Sequence, residues 1–80
     1  MRKNRREESY KKEKMIISDF TVKELDYFRN SCNFVNLEKT VFEYRASGVS
    51  LEDIAELLNI SYDYARHISQ KVNKKIIKVL

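Results

Sequence analysis

The side chains best suited to recognition chemistry are concentrated near the end of the sequence. Arg66 and Gln70 can each form two parallel hydrogen bonds, Arg66 through two donors and Gln70 through one donor and one acceptor. They are four residues apart, so on a helix they would share one face. Tyr62, Asp63 and His67 add further polar groups on or beside that face. This set predicts a surface that recognises a partner by hydrogen bonding.

The residue types and spacings do not predict a catalytic or metal-binding centre. Asp63 and His67 are one helical turn apart, but two ligands do not complete a metal site. The sequence shows no nucleophile with a base and an orienting group, and no glycine-rich phosphate-binding loop. Cys32 is the single cysteine, so it cannot form an intramolecular disulfide, and we expect it to be a small buried side chain. We therefore expect no enzyme activity and no cofactor.

A helix from Tyr62 to near Leu80 is predicted to carry the polar face. At about 100° per residue, apolar and small side chains fall on the opposite side of this helix. The predicted buried face consists of Ala65, Ile68, Ser69, Val72, Ile76 and Val79. Ile77 lies outside it, and it either covers a dimer contact or meets the apolar residues 15–20.

A shorter helix is predicted directly before it. Ser50 can cap this helix, with Asp53 three residues on as a short version of the capping box. Asn59 can end the helix, because asparagine tolerates the left-handed backbone conformation well. Ser61 can then cap the following helix after only two residues. The predicted apolar stripe of the shorter helix is Leu51, Ile54, Ala55, Leu57 and Leu58.

These two helices resemble a known DNA-binding unit. So short a turn requires a steep crossing, and the small side chains of Ala55 and Ala65 would allow the two backbones to approach each other. The pattern Ile54, Ala55, Leu58, Asn59, Ile60, Ala65 and Ile68 matches the helix-turn-helix at each of its spacings. Asn59 is the one departure from the usual pattern, because glycine is the usual residue at this position.

The resemblance extends upstream. Residues 37–48, followed by residues 50–55, are similar to the last conserved region of bacterial sigma factors and to the helix-turn-helix domains of response regulators. The similarity covers roughly residues 34–78. Eighty residues leave no room for the promoter-melting region, so we do not expect a complete sigma factor. The resemblance implies sequence-specific binding of double-stranded DNA in transcription regulation, in a small bacterial or phage regulator.

The resemblance also implies roles for individual side chains, because the first turns of a recognition helix reach base edges in the major groove. The implied base contacts are Tyr62, Asp63, Arg66, His67 and Gln70. Asp63 has an alternative role, which is to cap the helix or to pair with Arg66 or His67. The implied phosphate contacts are Ser61, Lys71, Lys74, Lys75 and Lys78, together with Arg2, Lys3, Arg5 and Arg6.

The charge of the chain is unevenly distributed. Residues 1–14 hold seven Lys or Arg against three Glu, which accounts for the whole net charge of +4. These residues can be a solvated tail or a basic arm that contacts DNA, and we treat them separately from a domain at residues 15–80. The middle of the domain is acidic and its end is basic. This polarity suits a protein that turns its end towards phosphate.

Four helices in all are predicted, because one glycine and no proline favour a small all-α bundle. Thr21 and Glu24 form a capping box for a helix over residues 22–31, and Asn36 can cap a helix over residues 37–47 that Gly48 ends. The core predicted from these helices consists of Val22, Leu25, Phe28, Cys32, Leu37, Val41, Phe42 and Tyr44. Residues 15–20 are expected to dock on the bundle.

Two questions about partners stay open at this point. The alternative function is a protein-interaction module of the same fold that binds RNA polymerase or another regulator through its acidic middle. The lysines after Gln70 discriminate against it, since a pure protein-binding module does not need them. A homodimer is a further alternative, since one recognition helix has a short footprint. No signal peptide or membrane span is predicted, so we expect a cytoplasmic protein without a membrane partner.

Overall fold

The computed structural model describes residues 16–80, and the predicted basic arm lies outside the described residues. The described part begins with a short 3-10 turn at Ile17–Asp19. Four α-helices follow, which are α1 at Val22–Ser31, α2 at Leu37–Ala46, α3 at Leu51–Leu58 and α4 at Tyr62–Val79. Residues 16–80 contain no strand, and the predicted all-α bundle of about four helices is confirmed.

Helices α3 and α4 have the caps that their sequence predicts, except that the Asp53 side chain accepts no bond from the Ser50 N–H, so the short capping box is not completed. Ser50 and Ser61 are both N-caps, each accepting a hydrogen bond of 3.1 Å from the backbone N–H three residues later. Asn59 has left-handed backbone angles of φ 57° and ψ 48°. The N–H groups of Asn59 and Ile60 donate to carbonyl oxygens of the last turn of α3, at 3.2 and 2.9 Å. This pair of bonds is a Schellman motif, which closes the helix without a glycine.

The ends of α1 and α2 also follow from local residues. Thr21 and Glu24 exchange both bonds of the predicted capping box, at 2.8 and 3.1 Å. Gly48 has a φ of 85°, and its N–H donates to the Arg45 carbonyl at 3.0 Å. The N–H of Val49 donates to the Tyr44 carbonyl at 3.0 Å, so α2 ends in a second Schellman motif.

The predicted cap of α2 is wrong. The Asn36 side chain makes no capping hydrogen bond, and its backbone angles are φ 52° and ψ −130°. A capping side chain needs an extended backbone at its own residue, which these angles exclude. The Glu38 carboxylate instead accepts a hydrogen bond from the Val35 N–H at 3.1 Å. An acid within the first turn of α2 therefore satisfies the backbone just before the helix.

The core lies between α4 and the other three helices and includes Ile17 from the 3-10 turn. Its fully buried side chains are Ile17, Phe28, Val41, Phe42, Ile54, Ala65, Val72 and Ile76. The predicted buried face of α4 is confirmed at every position, with Val79 half-buried at its end. Ile77 also packs partly against this core. Residues 17–20 therefore dock on the bundle as expected, chiefly against α2.

Two predicted core positions are wrong, because periodicity does not locate the edge of a buried stripe. Val22 is 75% exposed and Leu57 is 60% exposed. Val22 is the first residue of α1, where its side chain extends past the packed part of the helix. Leu57 lies at the edge of the α3 stripe, one turn after exposed Asp53. Their exposure shows that the apolar stripes of α1 and α3 are narrower than the sequence predicts.

Cys32 is buried, as predicted, and is 8% exposed. Burial raises the pKa of its thiol above the ordinary value, and only the nearby Lys75 charge opposes this shift. A thiol with a raised pKa holds little reactive thiolate at neutral pH. Cys32 therefore acts as a packing residue.

Candidate nucleic-acid interface

The polar face of α4 is open to solvent. Asp63, Arg66, His67 and Gln70 are all exposed, and Tyr62 is 45% exposed. The ion pairs among residues 16–80 do not include Asp63, so its proposed pairing with Arg66 or His67 is not formed. The structure thus brings the five predicted base-contact residues to one accessible surface at the start of α4.

The two small side chains that the sequence predicts at the crossing of α3 and α4 are both buried. Ala55 is 7% exposed and Ala65 is fully buried. Both residues lie in the shared core beside Ile54 and Ile68. Since α3 ends with Asn59 as its C-cap and Ser61 caps α4, the two helices follow each other after a short turn. Burial of Ala65 and Ile68 anchors the start of α4 in the core, while its outer face stays exposed.

The predicted phosphate-contact residues divide into three groups. Ser61 is exposed and caps α4, and Lys71, Lys74 and Lys78 are exposed without an ion pair among residues 16–80. Lys75 is half-buried and is already bonded within the domain. The four predicted contacts of the arm, Arg2, Lys3, Arg5 and Arg6, lie outside the described residues.

Lys75 has a structural partner that its sequence context does not reveal. Its ammonium donates to the Asn33 carbonyl at 2.6 Å and to Glu38 Oε1 at 2.5 Å. Lys75 lies about 100° around the helix from Lys74, on the edge of α4 that carries Tyr64 and Lys71. This edge faces the start of α2. A phosphate contact would require these bonds to break, so Lys75 joins α4 to α2 and is left out of the interface.

Glu38 is a buried acid that the sequence does not single out. It is 9% exposed, and it accepts bonds from both the Lys75 ammonium and the Val35 N–H. The hydrogen bond from Lys75 is the largest influence and lowers the pKa of the Glu38 carboxyl, while burial acts in the opposite direction. Glu38 and Lys75 are 37 residues apart, so no local sequence pattern predicts their contact.

An open groove runs between the start of α2 and one edge of α4, with a volume of about 170 Å³. Val35, Asn36, Leu37 and Glu38 line one side of it, and Tyr64, His67, Ile68 and Lys71 line the other. The groove therefore lies directly beside the exposed face of α4. Of its α4 side chains, Tyr64, His67 and Lys71 are exposed.

Charge separates α4 from the rest of the described domain. Helix α4 carries five basic side chains against one acid, whereas residues 16–61 carry four basic side chains against eight acids. The exposed acids include Glu52, Asp53 and Glu56, which share one face of α3. A polyanion would therefore be attracted to α4 and repelled from the solvent face of α3.

Two other features bear on the range of functions. Residues 16–80 hold no group of three or more His, Cys, Asp or Glu side chains placed to bind a metal ion. Within the same part of the chain, none of the helices combines the length and apolar character needed to cross a membrane. Comparison with known protein families, characterised proteins and solved structures found no match to this chain.

Proposed function

We propose that this protein binds double-stranded DNA sequence-specifically and regulates transcription, with the first half of α4 in the major groove. One observation supports the proposal above the others. The exposed residues Arg66 and Gln70 project from a helix whose start is anchored in the core by the buried side chains of Ala65 and Ile68. A recognition helix needs this combination of a rigid support and a free polar face.

Base reading follows from the chemistry of the exposed side chains. The major groove is about 12 Å wide and accepts an α-helix. Arg66 can donate two hydrogen bonds to O6 and N7 of guanine, and Gln70 can bond N6 and N7 of adenine. Tyr62 and Asp63, at the first turn, can add preference at neighbouring base pairs. Each paired contact contributes roughly 1–3 kcal/mol of discrimination against a wrong base.

Phosphate binding supplies affinity and orientation. Lys71, Lys74 and Lys78 extend along the outer side of α4 and are exposed. Each phosphate that a lysine neutralises releases counterions and adds roughly 0.9 to the slope of log affinity against log salt. The acidic face of α3 disfavours the reversed orientation, in which α3 would face the DNA.

A protein-interaction module that binds RNA polymerase or another regulator is the second candidate function. The observation that favours it is Leu57, which is 60% exposed beside the acids of α3. An exposed leucine among acidic residues suits a basic protein surface with a small apolar recess. The three exposed lysines of α4 have no part in this function, and for that reason we place DNA binding first.

The full 80-residue chain should be used to select from a pool of random DNA duplexes at two salt concentrations. We expect enrichment of one defined sequence, and loss of that enrichment in the Arg66→Ala, Gln70→Ala double variant. Asn30→Ala with Lys39→Ala is a matched control, because it removes one charge and one carboxamide from exposed positions on other helices. Sequence-blind binding, or none, would move the assignment to the protein-interaction module.

A further inference from the structure

We propose that the groove between residues 35–38 and α4 holds the sugar–phosphate backbone of one DNA strand. Tyr64, His67 and Lys71 would then contact the backbone, while base reading would be left to Arg66 and Gln70 and the first turn of α4. This inference rests on the proposed function. It changes the role of His67 from a base contact to a backbone contact and adds Tyr64 to the interface.

The side chains around α4 are placed so that base reading and backbone contact fall on different parts of its exposed face. At about 100° per residue, Tyr64, His67 and Lys71 fall within one narrow edge of the helix. Arg66 and Gln70 lie roughly a third of a turn away, on the other side of the exposed face. A helix inserted in the major groove has a phosphate backbone on each side of it. The edge that carries Tyr64 therefore meets a backbone when the face with Arg66 and Gln70 meets the bases.

Residues 35 and 36 form a wall opposite this edge of α4. Val35, which is 44% exposed, and Asn36 stand across the groove from the α4 side chains. A strand lying against α4 at this edge would have to enter the groove, where it would meet protein on two sides. Contacts to phosphate from two elements position a protein on a duplex without reading its sequence.

The charges within the groove are compatible with a phosphate. The Glu38 carboxylate is at the groove wall and would by itself repel phosphate. It already accepts bonds from the Lys75 ammonium and the Val35 N–H, so its charge is compensated in place. Lys71 brings a second cation to the groove and has no ion pair among residues 16–80. The Tyr64 hydroxyl and a ring N–H of His67 can add hydrogen bonds to phosphate oxygens.

The test compares edge variants with a face variant on the duplex that the full chain selects and on a version with one base pair changed. We expect Lys71→Ala to lower the salt slope by about 0.9. His67→Ala and Tyr64→Phe should weaken binding to both duplexes by the same factor. Arg66→Ala should instead reduce the preference for the selected duplex by roughly ten-fold or more. Lys23→Ala, at an exposed position on α1, is the control for loss of one positive charge.

Ethylation interference on the selected duplex locates the contact directly, because it reports which phosphates must stay unmodified for binding. We expect Lys71→Ala to abolish interference at one cluster of phosphates on a single strand. Unchanged interference, or an altered base preference in His67→Ala, would overturn the groove assignment while DNA binding stands. Failure of the unmodified chain to prefer any duplex would overturn the proposed function and this inference together.

Discussion

Two of the connections between the helices, α1–α2 and α3–α4, are built in different ways. The α3–α4 turn is held by bonds between residues at most five positions apart, such as Ile60 N–H to the Ala55 carbonyl. The α1–α2 connection at residues 32–36 combines local bonds between Val35 and Glu38 with bonds from Lys75 of α4 to Asn33 and Glu38. The α3–α4 turn can form from its own residues, whereas the α1–α2 connection gains part of its support from α4.

Each connection contains an asparagine with a positive φ, and the two residues show the same contrast. Asn59 lies in the left-handed helical region, which asparagine tolerates. Asn36 combines a φ of 52° with a ψ of −130°, a region that only glycine adopts readily. Strain at Asn36 must be offset by the bonds around it, which are the local bonds between Val35 and Glu38 and the bonds of Lys75 to Asn33 and Glu38. The α3–α4 turn is thus locally determined, whereas the wall of the groove also depends on α4.

The largest effect should come from breaking the tertiary bonds of the α1–α2 connection. Glu38→Gln removes the ion pair with Lys75 and should lower the free energy of unfolding at pH 7 by about 1–2 kcal/mol. The loss is moderate because the Lys75 side chain is 32% exposed and regains water. Urea unfolding measures it, with Glu56→Gln as a control that removes the same charge from an exposed site.

The pH dependence of the same variant sharpens the result. The pKa of the folded Glu38 carboxyl is lowered below the ordinary value of 4.5. Its contribution is therefore complete above pH 4.5 and is lost as the pH falls through the lower folded pKa. Glu38→Gln should lose less stability than the parent chain over that acid range. Identical acid unfolding profiles would show that the ion pair does not hold the connection.

Glycine substitutions compare the two asparagines with a smaller expected effect. Asn36→Gly relieves backbone strain in the folded state but increases the conformational entropy of the unfolded chain. The net effect should be a rise of about 1 kcal/mol in the free energy of unfolding. Asn59→Gly should change it by less than about 0.5 kcal/mol, because that backbone is already acceptable to asparagine. Thermal unfolding of both variants checks the order. An equal gain at the two sites would contradict the difference described between the connections.

The sequence predicts those features that depend on neighbouring residues. The three serine and threonine caps and the left-handed Asn59 arise from interactions within one or two turns, and the buried face of α4 is marked by the spacing of apolar residues along one helix. The ion pair of Glu38 could not be predicted, because its partner Lys75 is 37 positions away in the sequence. The predicted cap at Asn36 is wrong because Glu38, which also bonds Lys75 of α4, accepts the Val35 N–H instead. The exposure of Leu57 could not be predicted, because helical spacing does not show where neighbouring helices stop packing against α3.

The most direct test of the account is to titrate the full chain, labelled with ¹⁵N, with the selected duplex at low salt and to follow the backbone amides by NMR. We expect the shifts to concentrate at the first three turns of α4 and at residues 35–38, while the acidic face of α3 changes little. Shifts centred on residues 52–57, with α4 unaffected, would contradict the assignment of α4 as the recognition surface.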